Sequence, residues 1–232
     1  MNHIRLLFIV ASLAFIPRTI AAPVPPEDDG AKMRRIYGTT VDTAEDSTFE
    51  LRGTKLRIAI PARPRWAISY LQLGNASRAE RAIKGDFTAV VRVEFPIRPT
   101  KSINDPSEPV ACAGLVATTE DGDHVRVARE VRFYEGKWIE SFRSCHTHAL
   151  GGRGHGVMGG LKGEPDAAFV RLSREGQDIT SAYSRDGKEW FEFSMWTVAW
   201  SDTVKIGVVA ENGNNTPFNV TFDQYTLTQP KK

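Results

Sequence analysis

The chain has 232 residues, 30 of them Lys or Arg and 28 Asp or Glu, for a formal charge of +2. Arg5 and Arg18 fall within an N-terminal leader, so the remainder, about 210 residues, is close to neutral. That balance speaks against nucleic acid, whose binders carry a basic excess, and the length suits one all-β domain.

Residues 1–22 open with Arg5, pass through the apolar run Leu6 to Ile16 and end on Ala21-Ala22. A basic start, a short apolar middle and a small-residue end make a secretory signal peptide cleaved near Ala22, and the run is too short for a membrane span. A secreted or periplasmic chain is expected. Residues 23–35 are Pro-rich and charged and read as a linker that cannot bury enough surface to order itself. The domain is placed at 36–228, with 229–232 as a tail.

Phe49 to Leu51 and Leu56 to Ile60 flank residues 52–55 as a hairpin that Pro61 ends. Residues 76–82 read as a loop entering an edge strand, being too short for a stable helix. Phe87, Ala89, Val91, Val93 and Phe95 alternate with polar partners, which makes 87–95 a strand with one core face. Residues 96–109 form a Pro-rich loop. Strands at 110–118, 124–133 and 137–144 then form a meander around an Asp-Gly-Asp turn at 121–123. Residues 145–163 read as a long loop rich in Gly and His. Its Gly154 to Gly159 stretch formally matches a dinucleotide fingerprint, but Gly159 to Pro165 cannot start the required helix, and that reading is rejected.

Further on, Asp186-Gly187 sits between alternating runs as a hairpin signal, because such a tip needs positive φ. Strands come next at 204–211 and 218–222. The even phase of Phe218, Val220 and Phe222 gives way to the odd phase of Tyr225 and Leu227, predicting a β-bulge at Asp223-Gln224. Val125-Arg-Val-Ala-Arg-Glu130 echoes Val170-Arg-Leu-Ser-Arg-Glu175, as if two strands shared one environment. The first arginine of each (Arg126, Arg171) points away from the apolar row. The second (Arg129, Arg174) falls in phase with it and is expected to reach water from a strand end. In the meander Cys112 and Cys145 lie on the order of 15 Å out of register, too far for a disulfide, so free thiols are expected.

Gly85 to Val93, Ala113 to Val116, Val125 to Arg129, Val170 to Leu172, Tyr183 to Trp190, Val204 to Val208 and Phe222 to Tyr225 occur in an order that resembles a concanavalin A-like lectin/glucanase sandwich. Within that fold the chain resembles the bacterial domain of unknown function 1349 family of exported domains. The resemblance implies an all-β fold of two antiparallel sheets with jelly-roll connections and a glycan-binding face. It supplies no catalytic residues.

Glycan sites pair an aromatic face with polar groups that fix hydroxyls. The candidates are Trp138, Trp200 and Trp196, ahead of Trp190 and Trp66, with Arg126 and Arg171 as polar partners. On a strand, Trp196, Val198 and Trp200 would share a face and form an exposed platform. The paired carboxylates of retaining glucanases are missing, and Glu189 and Glu192 have opposite parity, so no catalytic residue is assigned. His146, His148 and His155 offer zinc-type ligands but no fourth is evident, so no metal and no cofactor are expected. The expectation is an exported, non-catalytic module for a polysaccharide or surface glycan. The alternatives are a structural or protein-interaction domain of the envelope and, third, a glycoside hydrolase with unrecognised carboxylates.

Overall fold

In the computed structural model, residues 28–62, 73, 76–95, 109–134, 137–148, 155–159, 167–213 and 216–230 are described; the side chains of 109–110, 132–134, 137–139, 155–159 and 193 are not. The signal peptide, Trp66 and most of the loops read at 96–109 and 145–163 lie outside these residues.

Helix α1 (Asp29–Ile36) comes first. It is followed by β1 (Thr39–Val41), β2 (Thr48–Arg52), β3 (Lys55–Ile60), β4 (Ser77–Lys84), β5 (Phe87–Glu94), β6 (Pro109–Thr118) and β7 (His124–Tyr134). Then come β8 (Lys137–Thr147), β9 (His155–Gly159), β10 (Ala167–Glu175), β11 (Asp178–Ser184), β12 (Phe191–Thr197), β13 (Thr203–Asn212) and β14 (Phe218–Thr228). They form two seven-stranded sheets, ordered β1-β4-β13-β6-β7-β8-β9 (sheet A) and β12-β11-β10-β5-β14-β3-β2 (sheet B). Every pairing is antiparallel, from the β6-β7-β8 meander to the long-range pairs of β13 and β14. The protein is a two-sheet antiparallel jelly-roll β-sandwich, as the alternation implies.

The core lies between the sheets. Ala89, Val91 and Val93 of β5, Val170 and Leu172 of β10, and Val220 and Phe222 of β14 meet Leu115 of β6, Val127 of β7 and Val208 of β13, all buried. The alternation of β5 is complete, with every second side chain buried. The expected bulge is present: the register between β14 and β5 slips between Asp223 and Thr226, and Gln224 takes a φ of 51°. Phase reversal on one strand needs an extra residue, and this is where it sits. Sheet A is closely drawn together at two glycines. A Cβ on Gly114 would meet the Val127 carbonyl oxygen at 2.0 Å, and one on Gly207 the Ala79 oxygen at 1.9 Å.

Four elements differ from the sequence expectations. Residues 29–35 of the stretch read as a linker form α1 together with Ile36, capped by Asp28, whose Oδ1 accepts the Ala31 amide at 2.6 Å. The cap supplies locally what the composition lacks, and Tyr37, just past the helix, anchors it: its hydroxyl bridges to the Thr54 and Phe222 carbonyl oxygens at 2.8 and 3.0 Å while its ring stacks on Tyr225. Of the residues read as a loop, 77–82 belong to β4, which is interior to sheet A because three-residue β1 covers its flank. Cys145 to Thr147 extend β8, and His155–Gly159 form edge strand β9, so part of the Gly- and His-rich loop is sheet. Finally, the hairpin expected at Asp186-Gly187 is present, with β11 and β12 antiparallel and Gly187 at φ 76°, but its connection is six residues long, and Asp186 Oδ1 accepts the Lys188 and Glu189 amides at 2.8 and 3.0 Å. A tighter turn, of two residues, lies at Gly176-Gln177 between β10 and β11, with Gly176 at φ 60°. Among the described residues no helix is long and apolar enough to cross a membrane.

Candidate functional site

Sheet A buries its outward face as well as its inward one. In the pleat, Arg126, Glu130 and their even-numbered neighbours on β7 point away from the core, yet Arg126 is 1% exposed and Glu130 0%. The register sets Glu211, Cys112 and Glu130 side by side across β13, β6 and β7. Arg126 Nη1 donates to Glu211 Oε1 at 2.7 Å. Glu130 accepts from Ser141 Oγ at 3.0 Å and lies 3.3 Å from Arg143 Nε. Farther along the same face, Glu80 faces Arg78 at 3.2 Å and Lys205 at 3.8 Å. Cys112, 4.0 Å from Glu211, is enclosed here; burial, then the Glu211 charge, push its thiol well above its ordinary range. Both cysteines are free, as the register argument requires. Glu130 and Glu211 are each committed to a guanidinium and enclosed, so neither presents a carboxylate to a substrate. Arg126, a candidate for holding a ligand, is likewise taken: it belongs to this charge lattice.

The in-phase arginines are also buried, against expectation. Arg129 pairs with Glu140 and lies 4.5 Å over the Phe95 ring. Arg174 donates to the carbonyl oxygens of Gly176, Ser201 and Asp202 at 2.8, 3.0 and 3.4 Å for Nε, Nη2 and Nη1 respectively. A guanidinium in an apolar row is tolerated once its donors find oxygens, and carbonyls serve as well as water.

The tryptophans separate. Trp138 opens β8, its side chain not among those described. Trp196 and Trp200 do not form an exposed platform. β12 ends at Thr197, and Val198 turns inward with its amide on the Gln177 oxygen at 2.8 Å. Both rings pack against the core, and Trp196 Nε1 donates across the sandwich to Ser144 Oγ at 2.9 Å. Their neighbour is His146, 6.0 and 6.2 Å away between ring centroids.

Trp190 reaches the surface in different company. On the outward face of sheet B, Arg171 lies 4.5 Å over its ring and donates to Glu192 Oε1 at 2.8 Å, the carboxylate being 64% exposed. The next residue, Phe191, is 55% exposed and ends a ring stack that runs outward from buried Phe142 through Tyr183, with centroid spacings of 4.5 and 5.5 Å. Met195, 65% exposed, lies on the same edge strand. Sequence reasoning ranks Trp190 behind Trp138 and Trp200 and passes over Phe191, although its position beside Glu192 and opposite Tyr183 is set by the β11-β12 pairing that the Asp186-Gly187 turn announces.

No family model matches the chain, and no curated protein matches it. Among solved structures it is similar to a functionally unknown protein from Saccharomyces cerevisiae, at 17% identity over 84% of this chain and 97% of that one, with a TM-score of 0.65. It is similar to xylan beta-1,4-xylosidase from Bacillus halodurans C-125, at 14% identity and TM-score 0.53, over 92% of this chain but only 41% of the xylosidase. A third likeness is to the alginate lyase from Klebsiella pneumoniae, at 12% identity and TM-score 0.53, over 79% and 85% of the two chains. Likeness at these identities establishes the jelly-roll sandwich that the strand order already shows.

Proposed function

We propose that the protein is an exported, non-catalytic carbohydrate-binding β-sandwich, and that its glycan lies on the outward face of sheet B at the β12 edge, on Trp190 with Arg171 and Glu192 beside it. The observation that carries this is the Trp190 ring next to an arginine-carboxylate pair that reaches solvent; Phe191, paired with Tyr183, points to the other face of the sheet. A sugar ring presents an apolar face to an aromatic ring and hydroxyls to charged groups, and this cluster offers both. Two solved structures of the same fold bear polysaccharides in their names, xylan and alginate, which supports the ligand class. Membership in the exported family of unknown function suggested by the ordered motifs is part of the same proposal.

Affinity electrophoresis of the full chain through gels containing xylan, alginate, β-glucan and other soluble polysaccharides tests it. Retardation by at least one polymer is expected, weakened about tenfold or more by Trp190→Ala and unchanged by Arg57→Ala, on a self-paired stretch of the same sheet face. Unretarded migration in every gel would overturn the reading. A second reading, docking of a protein strand along β12, has its own support: Met195 and Phe191 share an edge strand, whose free backbone groups can template a partner strand. Concentration-dependent association abolished by Met195→Lys, with no retardation in any gel, would favour it.

A further inference from the structure

Three ligand-type side chains meet at the end of the sandwich where β7 begins and β8 finishes. The hairpin register pairs His124 with Thr147. Asp123, just before β7, and His148, just after β8, are therefore brought to one end, and His146 flanks them opposite Val125. Asp123, His146 and His148 each turn a ligand atom toward the others, all within 4.8 Å. The two imidazoles meet edge to face at 4.4 Å, and Asp123 Oδ2 lies 3.3 Å from His148 Nδ1. Strand β9 pairs with this end of β8, His155 at the register position opposite His146.

We propose that Asp123, His146 and His148 form a binding site for a divalent transition metal of the zinc type. The donor set decides the class. Imidazole nitrogens with a single carboxylate suit zinc, nickel, cobalt or copper, whereas calcium and magnesium require oxygen ligands. The ligands come from the ends of two paired strands, so an ion held there fastens the open end of the β7-β8 hairpin. Trp196 and Trp200 wall the site on its inner side, 6.0 and 6.2 Å from His146, and an apolar wall of this kind limits water around a metal. The site is separate from the β12 cluster proposed above and does not depend on it.

The test uses the full chain, dialysed against EDTA and then titrated with zinc by calorimetry and with cobalt by visible absorption. One ion per chain is expected, with a dissociation constant of about 1 μM or tighter, a rise in Tm, and the visible bands of four-coordinate cobalt. His148→Ala and Asp123→Asn change residues at the rim, so the metal-free Tm should hold while affinity falls by more than the roughly tenfold that loss of an outer-shell partner costs. Copper should quench tryptophan fluorescence less in Trp196→Phe. Absence of zinc binding up to about 1 mM, or binding indifferent to both rim variants, would overturn the site.

Discussion

Strands β7 and β10 carry nearly the same sequence, Val-Arg-x-x-Arg-Glu, and pack against each other across the sandwich, yet they live in different surroundings. On β7 the outward Arg126 and Glu130 are enclosed in the charge lattice of sheet A; on β10 Arg171 looks out at Trp190 and Glu192, and Glu175 is exposed. The shared pattern fixes which way each side chain points. What fixes its environment is whether anything covers the sheet, and a period of two carries no record of that.

The widest separation should appear in stability. Arg126→Ala strands the Glu211 carboxylate without its guanidinium in an enclosed site, and removing one member of a buried ion pair costs about 3–5 kcal/mol. Arg171→Ala removes a partner from a largely exposed carboxylate and should cost under about 1 kcal/mol. Urea unfolding of both variants measures the gap, and similar midpoints would mean that the two faces do not differ.

A smaller effect comes from pH. Burial and Glu211 keep the Cys112 thiol protonated in the folded chain to higher pH than in the unfolded one, where it titrates near about 8.5. The folded state thus holds the proton that the unfolded state releases. Stability is full below that value and falls as pH rises above it, by up to about 1.4 kcal/mol per pH unit for this group. Tyr37 and Tyr225, both raised chiefly by burial, act with the same sign from about pH 10 upward. Denaturant midpoints from pH 7 to 10 should therefore decline, and Cys112→Ala should flatten the first part of the decline. No matching thiol lies on the outward face of sheet B among the described residues.

The smallest expected effect lies in the turn after β11. Asp186→Ala frees two backbone amides that solvent can reach at once, so its loss of stability should be the smallest of the set. Thermal melts would read it, and a much larger loss would show that the turn is more enclosed than Asp186 itself suggests.

The same contrast explains what the sequence disclosed. Phe87 to Phe95 announces a half-buried strand because its alternation is local, and the bulge at Gln224 is legible because Phe218 to Leu227 changes phase within ten residues. The partners of Arg126 were not legible. Glu211 reaches it only because β13 inserts beside β6, a pairing between segments nearly a hundred residues apart that no periodicity records. Asp123 lies between these cases. Once β7 and β8 are taken as a hairpin, its meeting with His148 comes from counting back from the turn, but that count needs the length of the connection, which composition leaves open.

The last two strands also dictate the order of assembly. β13 lies between β4 and β6, and β14 between β5 and β3, so each sheet stays in two pieces until the C-terminal thirty or so residues have arrived. Such distant pairings make folding slow, because the chain must close long loops before it gains the contacts that reward them. A nascent chain lacking β13 and β14 exposes four additional unpaired strand margins, and until those two strands emerge it depends on being kept from pairing with its neighbours.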